Sequence, residues 1–139
     1  MSQQQQKLAP EADAELQKYR EVQAEVERLR TQEQRLLEQN NENSMLKEEL
    51  DRLDSSARIY KKIGPVLMRH DLNEGKETVT KRLEHIKGAI ESIEKQCDTK
   101  AKEGDAIAEK IQKIQGDMQQ KAAAEAKAIA QQQGQEQTV

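Results

Sequence analysis

The chain has no tryptophan and no phenylalanine, and its only aromatic residues are Tyr19 and Tyr60. Large rings supply much of the buried area in compact cores and pockets, so a conventional globular core or an enzyme pocket is hard to build here. Leu (11), Ile (9) and Val (5) make up 18% of the 139 residues, below the roughly 20% at which chains begin to look disordered. A lone cysteine, Cys97, excludes an intramolecular disulfide and gives no sign of an oxidising compartment. The six glycines, at 64, 75, 88, 104, 116 and 134, are isolated, so no loop cradles a phosphate. No apolar run approaches the roughly 18 residues of a membrane span; Val66-Leu67-Met68 is among the longest. The stretch Met1–Lys7 has neither an apolar core nor paired arginines, so a soluble, cytoplasmic chain is expected. With 23 basic and 26 acidic residues, net −3, there is no electrostatic case for nucleic acid or a membrane surface.

What is present is helical. Ala, Glu, Lys, Leu and Arg make up 49% of the chain, and such a composition marks coiled coil when it is periodic. It is periodic. Steps of four and three from Val79 reach Leu83, Ile86, Ile90, Ile93, Cys97, Lys100, Gly104, Ile107, Ile111, Ile114 and Met118. Ten of these twelve positions are apolar, and the period of 3.5 is that of a coiled-coil seam. Glu77–Lys81, Glu91–Lys95, Glu109–Lys113 and Glu48–Arg52 add acid-before-base pairs one turn apart. The first half is noisier. Tyr19, Val22, Val26, Leu29 and Leu36 keep one register, and Leu46, Leu50, Leu53 and Ala57 suggest a second, shifted phase beyond Asn40–Asn43. Pro10 suits a first helical turn, where its missing N–H costs nothing. The spacing therefore predicts a helix over 10–53 and another over 73–121. Flanking them are a disordered Gln-rich segment over 1–9 and an Ala/Gln-rich tail over 122–139.

Between the helices the pattern becomes β-branched and aromatic. Arg58-Ile59-Tyr60-Lys61-Lys62-Ile63, the turn dipeptide Gly64-Pro65 and Val66-Leu67-Met68-Arg69-His70 predict a β-hairpin over 57–70. Asp71 or Asn73 then caps the second helix, with Gly75 a weak helix former in its first turn. The fold class is thus mostly α, an antiparallel two-helix coiled coil joined by one β-hairpin. Forty-odd residues at 1.5 Å each give arms of roughly 60 Å. Folding back at the turn is expected to set Leu50 and Leu53 against Val79–Leu83, Leu46 against Ile86 and Leu36 near Cys97. It likewise sets Leu29 over Gly104 and Leu16–Tyr19 near Ile111–Ile114. An isolated hairpin is marginal in water, and Ile59, Tyr60, Ile63, Val66, Leu67 and Met68 are too many apolar groups to leave wet. The economical outcome is an obligate oligomer whose subunits pool strands in an inter-subunit β-barrel. Arg58, Lys61, Lys62, Arg69 and His70 are expected on its wetter face or edges.

The helix–hairpin–helix frame resembles the beta-class prefoldin subunits. The resemblance is carried by Leu53-Asp54, Ile59-Tyr60-Lys61, Ile63-Gly64-Pro65-Val66-Leu67, Glu74, Val79, Arg82-Leu83 and Ile86. The stretch Leu46–Asp54 draws it toward a eukaryotic branch of that family. The resemblance covers roughly residues 10–120, and Gly75 departs from the better helix former found in relatives. It implies one subunit of a heterohexamer of two alpha-class and four beta-class chains. Each beta-class member gives one hairpin to a double β-barrel, and the coiled-coil ends hold non-native proteins such as nascent actin and tubulin. Those clients pass to the cytosolic group II chaperonin with no nucleotide consumed. No cofactor is implied.

The end that carries both termini offers Leu8, Ala9, Ala12, Leu16, Ile107, Ile111, Ile114 and Met118. Seam positions ordinarily close on one another, yet helix 1 brings few large partners to this end, and Met suits promiscuous surfaces. The client-binding candidates are accordingly Leu8, Ala12, Leu16, Ile107, Ile111, Ile114 and Met118, and the oligomerisation candidates are the six apolar hairpin residues. The rival is a structural scaffold or tether whose hairpin is only a turn; such a chain needs a polar turn and no client site. Cys97 falls on the seam, where a buried structural thiol is expected. His70 and His85 lack second ligands at metal-binding spacing, and the carboxylates read as solvated helix faces. No catalytic or metal-binding constellation emerges, and no enzyme is expected.

Overall fold

The structure, a computed structural model, describes residues 3–137, with side chains from residue 9 onward. Helix α1 spans Gln3–Arg52, strand β1 Ile59–Ile63, strand β2 Val66–His70 and helix α2 Leu72–Glu136. The chain divides into two compact units, one formed by the chain up to Val26 with Thr99 onward, the other by Glu27–Asp98.

Both helices run further than the periodicity suggests. Helix α1 begins seven residues before Pro10 and passes through it, and α2 continues past 121 to Glu136. Residues 3–9 of the expected disordered segment and 122–136 of the expected Ala/Gln-rich tail are therefore helical, while the ends of both segments lie outside the described residues. Gln, Ala, Glu and Lys are good helix formers, and each residue added to an existing helix gains one hydrogen bond. Pro10 forgoes only one such bond near a helix end.

In the Glu27–Asp98 unit the strands pair antiparallel, from Ile59 with His70 to Ile63 with Val66. The two-residue loop has Gly64 at φ 58°, and Pro65 is not in the positive-φ region. Glycine first with negative φ second fits a II′ turn, whose twist matches that of the strands. Before β1, Asp54 closes a turn: its carboxylate accepts from the N–H of Ser56 at 2.8 Å and from the Ser56 hydroxyl, and its carbonyl accepts from Ala57 N–H. These bonds, the Ser56 hydroxyl first, hold the Asp54 carboxyl below its ordinary pKa. After β2, Asp71 is the N-cap of α2, its carboxylate accepting from Glu74 N–H at 3.1 Å; Asn73 is not the cap. Leu29, Leu50, Val79 and Ile86 are buried in this unit.

In the other unit Val22, Val26, Gly104 and Ile114 are buried, and the carboxylate of Glu15 accepts from Lys110 at 2.9 Å. A Cβ on Gly104 would meet Val22 Cγ1 at 3.4 Å, so Val22, and not Leu29, covers that glycine. In the hairpin unit, Leu46 and Leu50 line one groove with Gly75, Thr78 and Val79, and Ile86 is not among its lining residues. The expected facing register is displaced because the connections are unequal. Six residues join α1 to β1, but Asp71 alone joins β2 to α2.

Every seam position counted along α2 from Val79 to Met118 is buried or half-buried. On α1, Glu15, Tyr19, Val22, Val26, Leu29, Glu33, Leu36, Asn40, Asn43 and Leu50 keep the first register, and only Lys47 among its steps is exposed. The suggested change of phase does not occur. Leu46 and Leu53 lie outside the stripe and are exposed.

Candidate interaction surface

Alternation along the hairpin is set by the pleat, and residues directly opposite in an antiparallel pair share a face. The observed register puts Ile59, Lys61, Ile63, Val66, Met68 and His70 on one face, and Tyr60, Lys62, Leu67 and Arg69 on the other. Charged and apolar residues are therefore interleaved on both faces. Of the expected placement of Arg58, Lys61, Lys62, Arg69 and His70 on a wetter face or edges, a single shared face is excluded, because Lys61 and Lys62 are adjacent and must point opposite ways. Tyr60, Ile63, Val66, Leu67 and Met68 are each more than half exposed. Ile59 is the exception. It is half-buried, and its Cδ1 lies 2.6 Å from where a Cβ on Gly75 would stand.

That contact seats the base of the hairpin on the first turn of α2. Gly75 is buried, its N–H donates to Asp71 at 2.9 Å, and His70 Cδ2 lies 3.4 Å from the same missing Cβ. A larger residue would push Ile59 away. The sequence shows Gly75 only as a poor helix former; its use as a seat depends on a pairing register that sequence does not display. Beside it opens a cavity of about 350 Å³ lined by Leu46, Leu50, Ile59, Tyr60, Val79 and Arg82 among others. Exposed strand residues and this groove together present more apolar surface than a monomer ordinarily leaves uncovered, interrupted by Lys61, Lys62 and Arg69.

The candidates in the unit formed by the chain up to Val26 with Thr99 onward are placed unevenly. Ile114 is buried at 5% exposure, so it is part of the closed seam. Ala12, Ile107, Ile111 and Met118 are half-buried, and Leu16 is exposed. The Leu8 side chain lies outside the described residues. A seam position in this unit is taken by Glu15 (5% exposed) and not by its neighbour Leu16 (38%). Glu15 also accepts from Lys18 at 3.2 Å. Its pKa is lowered chiefly by the Lys110 hydrogen bond, against the opposing effect of burial, and that bond raises the pKa of Lys110. Ile129, in the last turns of α2, is more than half exposed. Sequence reading missed Ile129 because it fell in a segment taken for a tail.

Cys97 is a free, half-buried thiol at its seam position. No cluster of three metal-ligating side chains occurs among the described residues, and none of their helices is long and apolar enough to cross a membrane.

The frame of two helices around an exposed hairpin matches a family model described as prefoldin subunit, over residues 13–118. The chain belongs to the prefoldin subunit family. It is 34% identical over 112 residues to prefoldin subunit 6 of Mus musculus, covering 81% of this chain and 88% of that one. The human protein of the same name gives the same identity, covering 87% of its length. The eukaryotic branch suggested by Leu46–Asp54 is therefore the one whose members are named subunit 6. Among solved structures, the prefoldin beta subunit from Thermococcus strain KS-1 superposes with a TM-score of 0.70 at 17% identity, covering 75% of this chain and 91% of that one. The beta2 subunit from the same strain gives 0.58 at 24% identity, over 66% and 98%. The fold is that of the beta-class subunits.

Proposed function

We propose that the chain is a beta-class subunit of a heterohexameric prefoldin co-chaperone, joined to its neighbours through the hairpin and using its helix ends to hold non-native proteins. The observation that carries the reading is the hairpin: five large apolar residues more than half exposed on ten strand residues, in a chain of this family. A turn between two helices has no use for such residues. Shared strands would remove both the apolar exposure and the open edges.

In the unit that holds residues up to Val26 and from Thr99 onward, Leu8, Ala12, Leu16, Ile107, Ile111 and Met118 would hold extended client segments, joined by Ile129. Each contact is weak, and several chains acting together supply avidity. Nothing in this action needs a nucleotide or a cofactor. Actin- and tubulin-like clients, delivery to the cytosolic chaperonin and a cytoplasmic location follow from the family resemblance and belong to the same proposal.

The test is native mass spectrometry of the assembly recovered through a tag on this chain. Six different small coiled-coil chains are expected. Tyr60→Asp with Val66→Asp should release the chain while leaving it helical by circular dichroism. If that variant stays in an intact hexamer, the hairpin is not the joint. A homodimer, or an assembly lacking related chains, would leave the tether reading in its place.

A further inference from the structure

We propose that the strand laid along the β1 edge comes from an acidic hairpin of a different chain, with carboxylates meeting Lys61 and Lys62 on opposite faces of the sheet. The inference rests on the assembly reading above and names the chemistry of the neighbour. Over residues 57–70 the chain has Arg58, Lys61, Lys62 and Arg69 and no Asp or Glu, whereas the whole chain is at −3. Setting these four aside leaves the remainder at −7. Positive charge is thus concentrated on the element with the largest exposed apolar surface. All four side chains are exposed, and none takes part in an ion pair found among the described residues.

Assembly through this surface takes charge out of water together with the apolar groups. Lys61 stands between Ile59 and Ile63 and opposite Met68, and Lys62 stands opposite Leu67. Covering these neighbours lays the incoming strand against both lysine stems. A charge brought close to an apolar interface without a partner is unfavourable, so a strand carrying opposite charge is favoured there. Residues directly opposite across a new strand pair have Cβ atoms about 4.5–5.5 Å apart, and like charges there repel. A second copy of this hairpin brings charge of basic sign only. Edge lysines therefore discourage self-pairing and favour an acidic neighbour, which is a means of ordering unlike subunits in a ring.

Carbodiimide cross-linking of the native tagged assembly tests this directly, because it joins a lysine amine to a carboxylate without a spacer. Peptide mapping should link Lys61 or Lys62 to an Asp or Glu in a strand of another chain. Lys61→Glu with Lys62→Glu should lower incorporation at least tenfold, and Lys61→Gln with Lys62→Gln distinctly less. Links only to a second copy of this chain, or undiminished incorporation of the glutamate variant, would overturn the inference. Equal losses for the Gln and Glu variants would overturn it too, since charge would not then be the cause. Failure of the assembly reading itself shows differently, as retention of the Tyr60→Asp, Val66→Asp chain.

Discussion

A methyl group on Gly75 would sit 2.6 Å from Ile59 Cδ1, closer than carbon atoms pack, but the obstacle is the mobile end of a side chain. Two effects of similar size therefore compete in Gly75→Ala: about 1 kcal/mol gained in helix propensity, and the displacement of Ile59. The single variant should melt close to the parent. Ile59→Val alone should cost about 0.5–1.5 kcal/mol as a core truncation. Combined with Gly75→Ala, it should be stabilising, because the valine no longer reaches the new methyl. Thermal unfolding of the four chains measures this coupling, and simple additivity would show that the seat is not tight. Glu15 offers a second test. Its pKa is depressed, so its contribution to stability is present above the ordinary glutamate value and is lost as pH falls through the folded value. Lys110 is raised, so its contribution is present below the ordinary lysine value and is lost as pH rises through the folded one. Asp54 adds to the acid limb. Glu15→Leu should reduce, without abolishing, the acid loss of melting temperature, and an unchanged acid limb would assign that loss elsewhere. Glu15 did not stand out in the sequence, and Gly75 did so only as a weak helix former. Each owes its position to a partner on another element, and sequence spacing shows only neighbours along the same helix.

At the level of elements, α2 was legible because ten of its twelve seam positions are apolar, six of them isoleucine. Helix α1 was less so, for a physical reason: its stripe contains Glu15, Glu33, Asn40 and Asn43, while Leu46 and Leu53 lie beside it. Hydrophobicity alone follows the leucines out of register, whereas helix geometry keeps the stripe continuous and accepts polar residues in it. The two leucine classes should therefore separate by mutation. Leu50→Ala removes a buried side chain and should cost about 2–5 kcal/mol; Leu53→Ala in the isolated chain should stay within about 0.5 kcal/mol. Comparable losses in urea unfolding would restore the shifted phase. The hairpin was readable down to its turn, since Gly64-Pro65 meets the backbone demand of a II′ loop locally. What the turn could not convey was the unequal spacing of the helices on either side, and so the facing register was misjudged. Helix ends were hidden for a different reason. Gln and Ala carry no apolar period, yet they extend an established helix readily.

For the whole molecule, the two compact units carry different burdens. The unit with the hairpin holds the exposed strand residues and their basic charge, and the unit with both chain ends holds the half-open seam and Ile129. If association belongs to the first and client holding to the second, variants in each should fail in only one assay. Ile114 is unsuited to this test because it is buried, and changing it would unsettle the coiled coil. Ile111 and Ile129 are better placed, one half-buried and one more than half exposed. Ile111→Ser with Ile129→Ser should leave the stoichiometry of the assembly unchanged by native mass spectrometry. The same assembly should suppress aggregation of a chemically unfolded protein less well, with the loss scaling with the number of chains altered. That scaling follows from avidity, in which several weak contacts act together and removing one weakens all. Full suppression by the altered assembly would move client holding to other chains and leave this one as a platform subunit alone.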